Sequence, residues 1–158
     1  MKVGIDSYCY HRFFGEVYPD QNPPARKMTM EDFLTRAKEM DVDGVSLESC
    51  FFPGYDAGWF KSLKAQLDDY KFDRVYAWGH PDGLERGQNW DAYKEMVDSI
   101  PHAKAIGADV MRVVGSSLMF RHEAHGPQIE ALAKMFKEAV KVAEDNGVKM
   151  AVENHIDF

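Results

Sequence analysis

The chain has 158 residues and a formal net charge of −7, with 45% hydrophobic and 13% aromatic side chains. This length favours one domain, and the apolar content is sufficient for a hydrophobic core. The acidic balance argues against a nucleic-acid partner, because such partners need a basic surface. No stretch approaches the ~18 uninterrupted apolar residues of a membrane helix, and no signal-peptide pattern follows Met1. We therefore expect a cytoplasmic protein without membrane attachment.

Predicted strands and helices alternate along the chain. The first strand, residues 2–8, is followed by a long loop, residues 9–27. Loops of this length in compact domains are usually functional lids or binding loops. The later strands are predicted from short apolar runs, and the helices from apolar residues three or four positions apart. These strands span residues 44–48, 72–78, 110–114 and 148–153, and the helices begin near Thr29, Asp56, Asp91 and Pro127.

The alternation predicts an α/β fold with a parallel sheet. Its spacing, about 30 to 40 residues per strand–helix unit, is what a (β/α)₈ barrel of TIM type shows. A flavodoxin-like open sheet uses a similar length. Polar groups after every strand favour the barrel, as does the loop after the first strand, which lacks the glycines of a phosphate-binding loop. We therefore predict a single domain, residues 1–158, that forms the first four βα units of a TIM-type barrel and its fifth strand.

Side-chain alternation predicts which strand residues point into the barrel. In the fifth strand, Met150 and Val152 suit the helix-facing side, which leaves Glu153 pointing inward at the carboxyl end. The same argument places Glu48 inward at the end of the second strand. Chemistry in parallel α/β folds lies at this end of the strands. A buried carboxylate also needs a cation or hydrogen-bonding partner, so these two residues are difficult to explain as packing.

Further candidates lie at or after the ends of the other strands. Tyr8 and Trp78 are aromatic residues that either line a sugar pocket or fill the mouth of the core. His80 precedes a proline and is either a turn residue or part of the site. Arg112 lies in the fourth strand, where parity leaves its direction open, and His155 directly follows the fifth strand.

Two other pairs have weaker functional interpretations. Cys9 and Cys50 each follow a predicted strand, and a disulfide is possible, but free thiols are favoured because the chain has so few cysteines. His122 and His125 have the spacing of metal ligands. They precede Pro127 in a predicted loop and not on a helix, which favours a solvated loop.

Two segments resemble the xylose isomerase-like sugar isomerase/epimerase superfamily. They are AKAIGADVMRVVG at residues 103–115 and AEDNGVKMAVENH at residues 143–155. The dipeptide ending at Glu48 and the Trp-Gly-His sequence ending at His80 also fit its pattern. The resemblance covers nearly the whole chain, but only the first half or so of the family's barrel.

This resemblance implies a (β/α)₈ barrel with one or two divalent metals, such as Mn, Mg, Co or Zn, at its carboxyl-terminal mouth. Glu153 matches a glutamate that is a metal ligand in the family and an acid/base in its epimerases. The other ligands come from strands six to eight, which this chain lacks, so its metal site is expected to be incomplete. We expect Glu153 and His80 to be catalytic, and the substrate-binding residues to be Tyr8, Glu48, Trp78, Arg112 and His155.

These features predict the N-terminal part of a metal-dependent sugar isomerase or epimerase that transfers a proton next to a sugar carbonyl. One alternative is a lyase or dehydratase-type enzyme on the same barrel. Another is an enzyme for abasic DNA, against which the acidic balance counts, and a third is a non-catalytic partner subunit. We also expect a homo-oligomer, or complementation by the missing half of the barrel, because open strand edges drive association.

Overall fold

The structure, a computed structural model, describes residues 1–81 and 83–154. Short 3₁₀ helices follow several strands (Ser7–Tyr10, Ser49–Phe51, Leu118–Phe120), and another, Glu85–Gly87, precedes α4. In this part of the chain the strands are β1 (Gly4–Asp6), β2 (Gly44–Glu48), β3 (Asp73–Trp78), β4 (Val110–Val114) and β5 (Lys149–Glu153). The α-helices are α1 (His11–Phe14), α2 (Met30–Glu39), α3 (Ala57–Tyr70), α4 (Trp90–Ala105) and α5 (His125–Asn146).

The strands form one parallel sheet in the order β1-β2-β3-β4-β5. Each strand therefore pairs with the next one in the chain, as in a barrel, where successive βα units are neighbours. A flavodoxin-like sheet would place β1 between β2 and β3. The predicted barrel-type strand order is confirmed, and the carboxyl ends of all these strands meet at one edge of the sheet.

The hydrophobic core lies between the sheet and one layer of helices. Leu47, Trp78 and Val113 on the strands and Phe33 and Met96 on the helices have no exposed surface. Helix α2 contacts α3, α3 contacts α4, and α4 contacts α5, so these helices follow the curve of the sheet in chain order. The alternate strand residues point to the opposite face of the sheet, where the candidate site lies.

The first strand is shorter than predicted because the chain turns at its polar end. The carboxylate of Asp6 accepts a hydrogen bond from the backbone N–H of Tyr8 at 2.7 Å and caps the following 3₁₀ helix. The long loop after it contains α1, which ends at Gly15 with φ of 111°. The backbone N–H of Met28 then donates to the carbonyl oxygen of Phe13 at 2.9 Å. The loop is therefore folded back on itself beside the carboxyl end of β1.

The predicted start of α2 is confirmed by its hydrogen bonds. The hydroxyl of Thr29 accepts from the backbone N–H of Asp32 at 3.1 Å, and the Asp32 carboxylate accepts from the backbone N–H of Thr29. Helix α5 begins at His125, two residues before the predicted start at Pro127. None of the helices in residues 1–81 and 83–154 has both the length and the apolar character needed to cross a membrane.

Candidate active site

A cleft of about 790 Å³ opens at the carboxyl ends of the strands, a volume typical of small-molecule sites. It lies on the face of the sheet opposite the helices. Polar side chains from separate strands converge there, which is the arrangement of active sites in parallel α/β proteins. The chain segments that contribute to its lining follow or end β1 (Asp6, Tyr8), β2 (Glu48, Cys50), β3 (Gly79, His80), β4 (Arg112, Ser116, Ser117) and β5 (Glu153).

Arg112 connects two carboxylates of this cleft. Its Nη2 donates to Oε1 of Glu48, and its Nε lies 3.1 Å from Oε2 of Glu153. The register of the sheet explains the first contact, because Glu48, Ala77 and Arg112 occupy one row across β2, β3 and β4. Ala77 carries only a methyl group, so the guanidinium extends over β3 to reach Glu48. The structure thus resolves the direction of Arg112, which points into the cleft.

Glu48 is a buried acid, 4% exposed. Burial raises the pKa of Glu48 to about 7; the negative charges of Asp6 and Glu153 act in the same direction, and Arg112 opposes the rise. The backbone N–H of Glu48 also donates to Oγ of Ser7 at 2.9 Å, which joins the end of β2 to the turn after β1. A carboxyl group that both holds and releases a proton near neutral pH is suited to acid–base chemistry.

Glu153 is the more accessible of the two acids. It pairs with Val114 in the sheet register, beyond the row that contains Arg112, and its side chain is 42% exposed. The carboxylate lies on the cleft side of β5 beside Arg112. A carboxylate that is held at one oxygen and open to a cleft is available to a bound ion or molecule.

Tyr8 and the loop after β1 form one wall of the cleft. The Tyr8 hydroxyl donates to Oε1 of Glu16 at 2.9 Å and also contacts the hydroxyl of Tyr18. Burial and these hydrogen bonds raise the pKa of Tyr8, so its hydroxyl stays protonated. Its ring stacks on that of His11, with 5.2 Å between centroids, and lies 6.1 Å from that of Phe51. Tyr8 therefore both packs against the loop and lines the cleft.

The prediction that Trp78 lines a sugar pocket is wrong. Its side chain has no exposed surface and belongs to the core between the sheet and the helices. The indole N–H donates to Oε1 of Glu95 on α4 at 3.3 Å. Trp78 shares the helix-facing side of β3 with Tyr76, because alternate residues of a strand point the same way. The tryptophan therefore supports the sheet and does not contact a ligand in the cleft.

His80 lies on the cleft, half-buried, in the turn after β3. Its carbonyl oxygen accepts from the backbone N–H of Gly83 at 2.8 Å. Because the strand ends before it, His80 no longer follows the alternation that turns Trp78 toward the helices. His155, the last of the predicted substrate-binding residues, lies outside the described residues.

Ser116 and Ser117 follow β4 and line the cleft, although they were not predicted from the sequence. Ser116 is 4% exposed, and within the described part of the chain neither hydroxyl oxygen has a hydrogen-bond partner. Glu16 was also missed, since it lies in the middle of a loop whose course the sequence does not specify. The serines could have been found from their position just beyond the carboxyl end of β4, because the position of Glu48 and Glu153 at strand ends is what identified those residues.

In residues 1–81 and 83–154, the cysteine pair forms no disulfide and the histidine pair belongs to no metal-binding group. Cys9 and Cys50 are free thiols, as the sequence favoured. His122 and His125 are exposed: His122 lies in the turn before α5, and His125 is the first residue of that helix, with Nε2 3.0 Å from the carbonyl oxygen of Arg121. The exposure of these histidines agrees with the solvated-loop interpretation, although His125 itself begins the helix.

Residues 1–81 and 83–154 contain no group of three or more His, Cys, Asp and Glu side chains arranged to hold a metal ion. Glu153 is nevertheless a suitable single ligand, since hard divalent cations prefer oxygen donors and its carboxylate is open to the cleft. Glu48 is less suitable, because its side chain is buried and its raised pKa keeps it protonated in part near neutral pH. A metal held here would need further ligands from outside this part of the chain.

A family model described as a xylose isomerase-like TIM barrel matches residues 34–158. One similar solved structure is a D-tagatose 3-epimerase-like protein, with a TM-score of 0.69 and 17% sequence identity. Another is a D-psicose 3-epimerase in the presence of D-fructose, with a TM-score of 0.74 and 9% sequence identity. Each alignment covers 100% of this chain and 54% of the other chain. A D-psicose 3-epimerase with D-tagatose from Clostridium cellulolyticum H10 (0.70, 14%) aligns over 96% of this chain and 52% of its own. At these identities the likeness shows the fold, and the chain spans about half the length of these proteins. No curated protein matches the sequence significantly.

Proposed function

Because the chain belongs to the xylose isomerase-like TIM-barrel family, we propose that it is part of a divalent-metal-dependent sugar isomerase or epimerase. The observation that carries the proposal is the convergence of Glu48, Arg112 and Glu153 in one cleft at the carboxyl ends of the strands. Structures with this fold include D-psicose 3-epimerases, whose names state the reaction class proposed here.

The proposed reaction moves a proton at the carbon next to a sugar carbonyl. A bound divalent cation would supply stabilisation of the negative charge that develops on the sugar oxygens. Glu153 would provide one oxygen ligand for this cation, and its carboxylate would accept the proton from that carbon. In epimerisation a second acid would deliver a proton to the opposite face of the same carbon, whereas in isomerisation Glu153 would deliver the proton to the neighbouring carbon. The exposure of Glu153 supports this role, because a base must reach the carbon from which it takes a proton.

The remaining residues of the cleft would bind the sugar and assist proton transfer. His80 is the second proposed catalytic residue, since it lies on the cleft beside the end of β3. Glu48 holds a proton in part of the molecules near neutral pH, because burial raises its pKa to about 7. Tyr8 lines the β1 side of the cleft with its ring, while its hydroxyl already donates to Glu16. These groups suit a substrate that is rich in hydroxyls.

We further propose that turnover requires the rest of the barrel. The chain aligns with about half of each similar structure, and a metal at Glu153 needs ligands beyond those described. The missing strands would come from a longer chain or from a second chain. The free thiols Cys9 and Cys50 suit a reducing compartment, so a cytoplasmic location remains part of the proposal.

The experiment that tests this function is sugar turnover by the intact enzyme, before and after metal removal, with Glu153→Gln as the variant. We expect chelation to abolish turnover of ketoses such as D-fructose or D-tagatose, and Mn²⁺, Mg²⁺, Co²⁺ or Zn²⁺ to restore it. Glu153→Gln should lower kcat by roughly 100-fold or more, since it removes the proton-transferring group.

The matched control for this experiment is Glu138→Gln. Glu138 is an exposed carboxylate on α5 that pairs with Lys141 at 2.7 Å, so its loss should leave turnover unchanged. Wild-type turnover by Glu153→Gln with metal still bound would refute the role of Glu153. Absence of turnover by the wild-type enzyme with every sugar and metal would refute the proposed function.

A further inference from the structure

We propose that Arg112 is a positioning residue, which orients the carboxylate of Glu153 for the reaction and is itself held in place by Glu48. This inference rests on the proposed function and deepens it. Arg112 was predicted from the sequence to bind substrate, and the contacts of its guanidinium argue for a different role.

Carboxylates from two other strands engage the guanidinium of Arg112. Nη2 donates to Oε1 of Glu48 on β2, and Nε lies 3.1 Å from Oε2 of Glu153 on β5. The side chain of Arg112 is 19% exposed and that of Glu48 is 6% exposed. These contacts direct the positive charge of Arg112 at two protein carboxylates, and charge-assisted pairs of this kind are strong, which suits a side chain that holds other groups in place.

The sheet makes this contact a rigid link from the core to the cleft. Glu48, Ala77 and Arg112 lie in one row of the register, so the arginine crosses β3 above a methyl group. Gly79, the residue directly after β3, also lies beside the guanidinium, since a Cβ on it would be 3.7 Å from Nη1 of Arg112. Side chains on strands are held more accurately than those on loops. The buried Glu48 therefore fixes the position of the Arg112 side chain, and Arg112 in turn fixes the carboxylate of Glu153.

Glu153 is the residue that needs such a link. It ends β5, which pairs with β4 on one side in the described sheet, and 42% of its side chain is exposed. An exposed glutamate samples several rotamers, and fixing one of them opposes binding through lost conformational entropy. Because the contact with Arg112 forms before a ligand arrives, the carboxylate is already oriented. Preorganisation of this kind raises kcat more than it changes substrate affinity.

The test is a double-mutant cycle on the intact enzyme with D-fructose and D-tagatose as substrates. Arg112→Met should lower kcat by about 10-fold to 100-fold, which is typical for the loss of an outer partner of a reactive group, and leave KM within about twofold. Glu48→Gln should lower kcat less. The double variant should be no worse than Arg112→Met, because Glu48 acts through Arg112 and residues that act in series are not additive.

Two further measurements distinguish positioning from a structural role. Guanidinium ion added to Arg112→Ala should restore part of kcat without changing KM. NMR of the arginine Nε–H groups in the metal-free enzyme should show a protected signal for Arg112 that is lost in Glu48→Gln.

Arg74→Met is the matched control: Arg74 is also mostly buried and pairs with Asp68 at 2.7 Å, but it lies at the amino ends of the strands. It should lower stability and leave kcat unchanged.

Several outcomes would overturn the inference. A large rise in KM with unchanged kcat in Arg112→Met would show contact with the sugar instead. Losses of kcat that add in the double variant would show that Glu48 and Arg112 act separately. Losses of kcat that only follow the fraction of folded protein would show a structural role. If the wild-type enzyme turns over sugar and the Arg112 and Glu48 variants have the same kcat, this inference alone is overturned. If the wild-type enzyme shows no turnover, the inference is overturned together with the proposed function.

Discussion

Among single residues, the burial of Glu48 has the clearest energetic consequence. Moving a carboxylate out of water is unfavourable, and the nearby charge of Arg112 compensates for this cost only in part. The pKa of Glu48 therefore rises from its ordinary value of 4.5 to about 7, with burial as the main cause. The folded protein thus favours the neutral acid over a pH range in which the unfolded chain has already released the proton.

Glu48→Gln should remove a pH-dependent part of the free energy of unfolding. Between pH 4.5 and about 7 the unfolded chain loses the Glu48 proton while the folded protein keeps it, so wild-type stability falls as pH rises. The total change should be roughly 3 kcal/mol, complete above the folded-state pKa, and glutamine does not titrate. Urea unfolding of both proteins from about pH 4 to about pH 8 measures the effect. A constant difference in stability over this range would contradict the raised pKa.

Among the structural elements, the loops after β3 and β4 depend on a close backbone approach. Gly83 has φ of 56°, and a Cβ on it would lie 2.9 Å from Cα of Ser116. The backbone N–H of Leu84 donates to the carbonyl oxygen of Gly115 at 3.0 Å. A glycine is needed because a side chain would strain the left-handed backbone and press on the neighbouring loop. The two loops therefore hold the β3 and β4 sides of the cleft together.

Gly83→Ala should destabilise the protein by about 1 kcal/mol or more, for the two reasons just given. Gly126→Ala is the matched control, since Gly126 lies in the first turn of α5 and a Cβ there would have no neighbouring atom within 4 Å. That control should be neutral or slightly stabilising, because alanine favours helix. Urea unfolding of both variants provides the comparison. Equal stability of Gly83→Ala and the wild type would show that the loops separate without cost.

In the whole molecule, the described sheet has two unpaired edges, β1 and β5. Residues of both regions are exposed, including Val3 at 52% and Val152 at 57%. The inner face of the sheet also carries a second cleft of about 670 Å³ at the amino ends of the strands. In a closed barrel these edges pair and the interior is filled by side chains from all strands. The described surface is therefore one that other strands would cover.

The 158-residue chain, expressed by itself, should associate with itself or bind a chain that supplies further strands. Open edges and exposed apolar side chains favour association over a free monomer. Sedimentation velocity over a range of protein concentrations, with and without Mn²⁺, should show species larger than a monomer. A well-folded monomer that binds metal tightly and turns over a sugar would contradict this expectation.

The sequence by itself was sufficient for the order of elements and for the acids at the strand ends. Strand–helix alternation and the period of apolar residues are local properties, so they predicted the sheet and its barrel-type order. Glu48, His80 and Glu153 could be placed at one edge because the carboxyl ends of parallel strands meet there. The family resemblance rested on two segments around β4 and β5, and the family match covers both.

Only the tertiary structure decided how these residues interact. Glu48 and Arg112 are 64 positions apart, and their contact depends on the register that places Ala77 between them. The third strand ends at residue 78, as predicted, but the sequence did not specify which of its faces packs on the helices, and Trp78 lies on that face with Tyr76. The burial that raises the pKa of Glu48 likewise comes from packing between strands and loops that are distant in the chain.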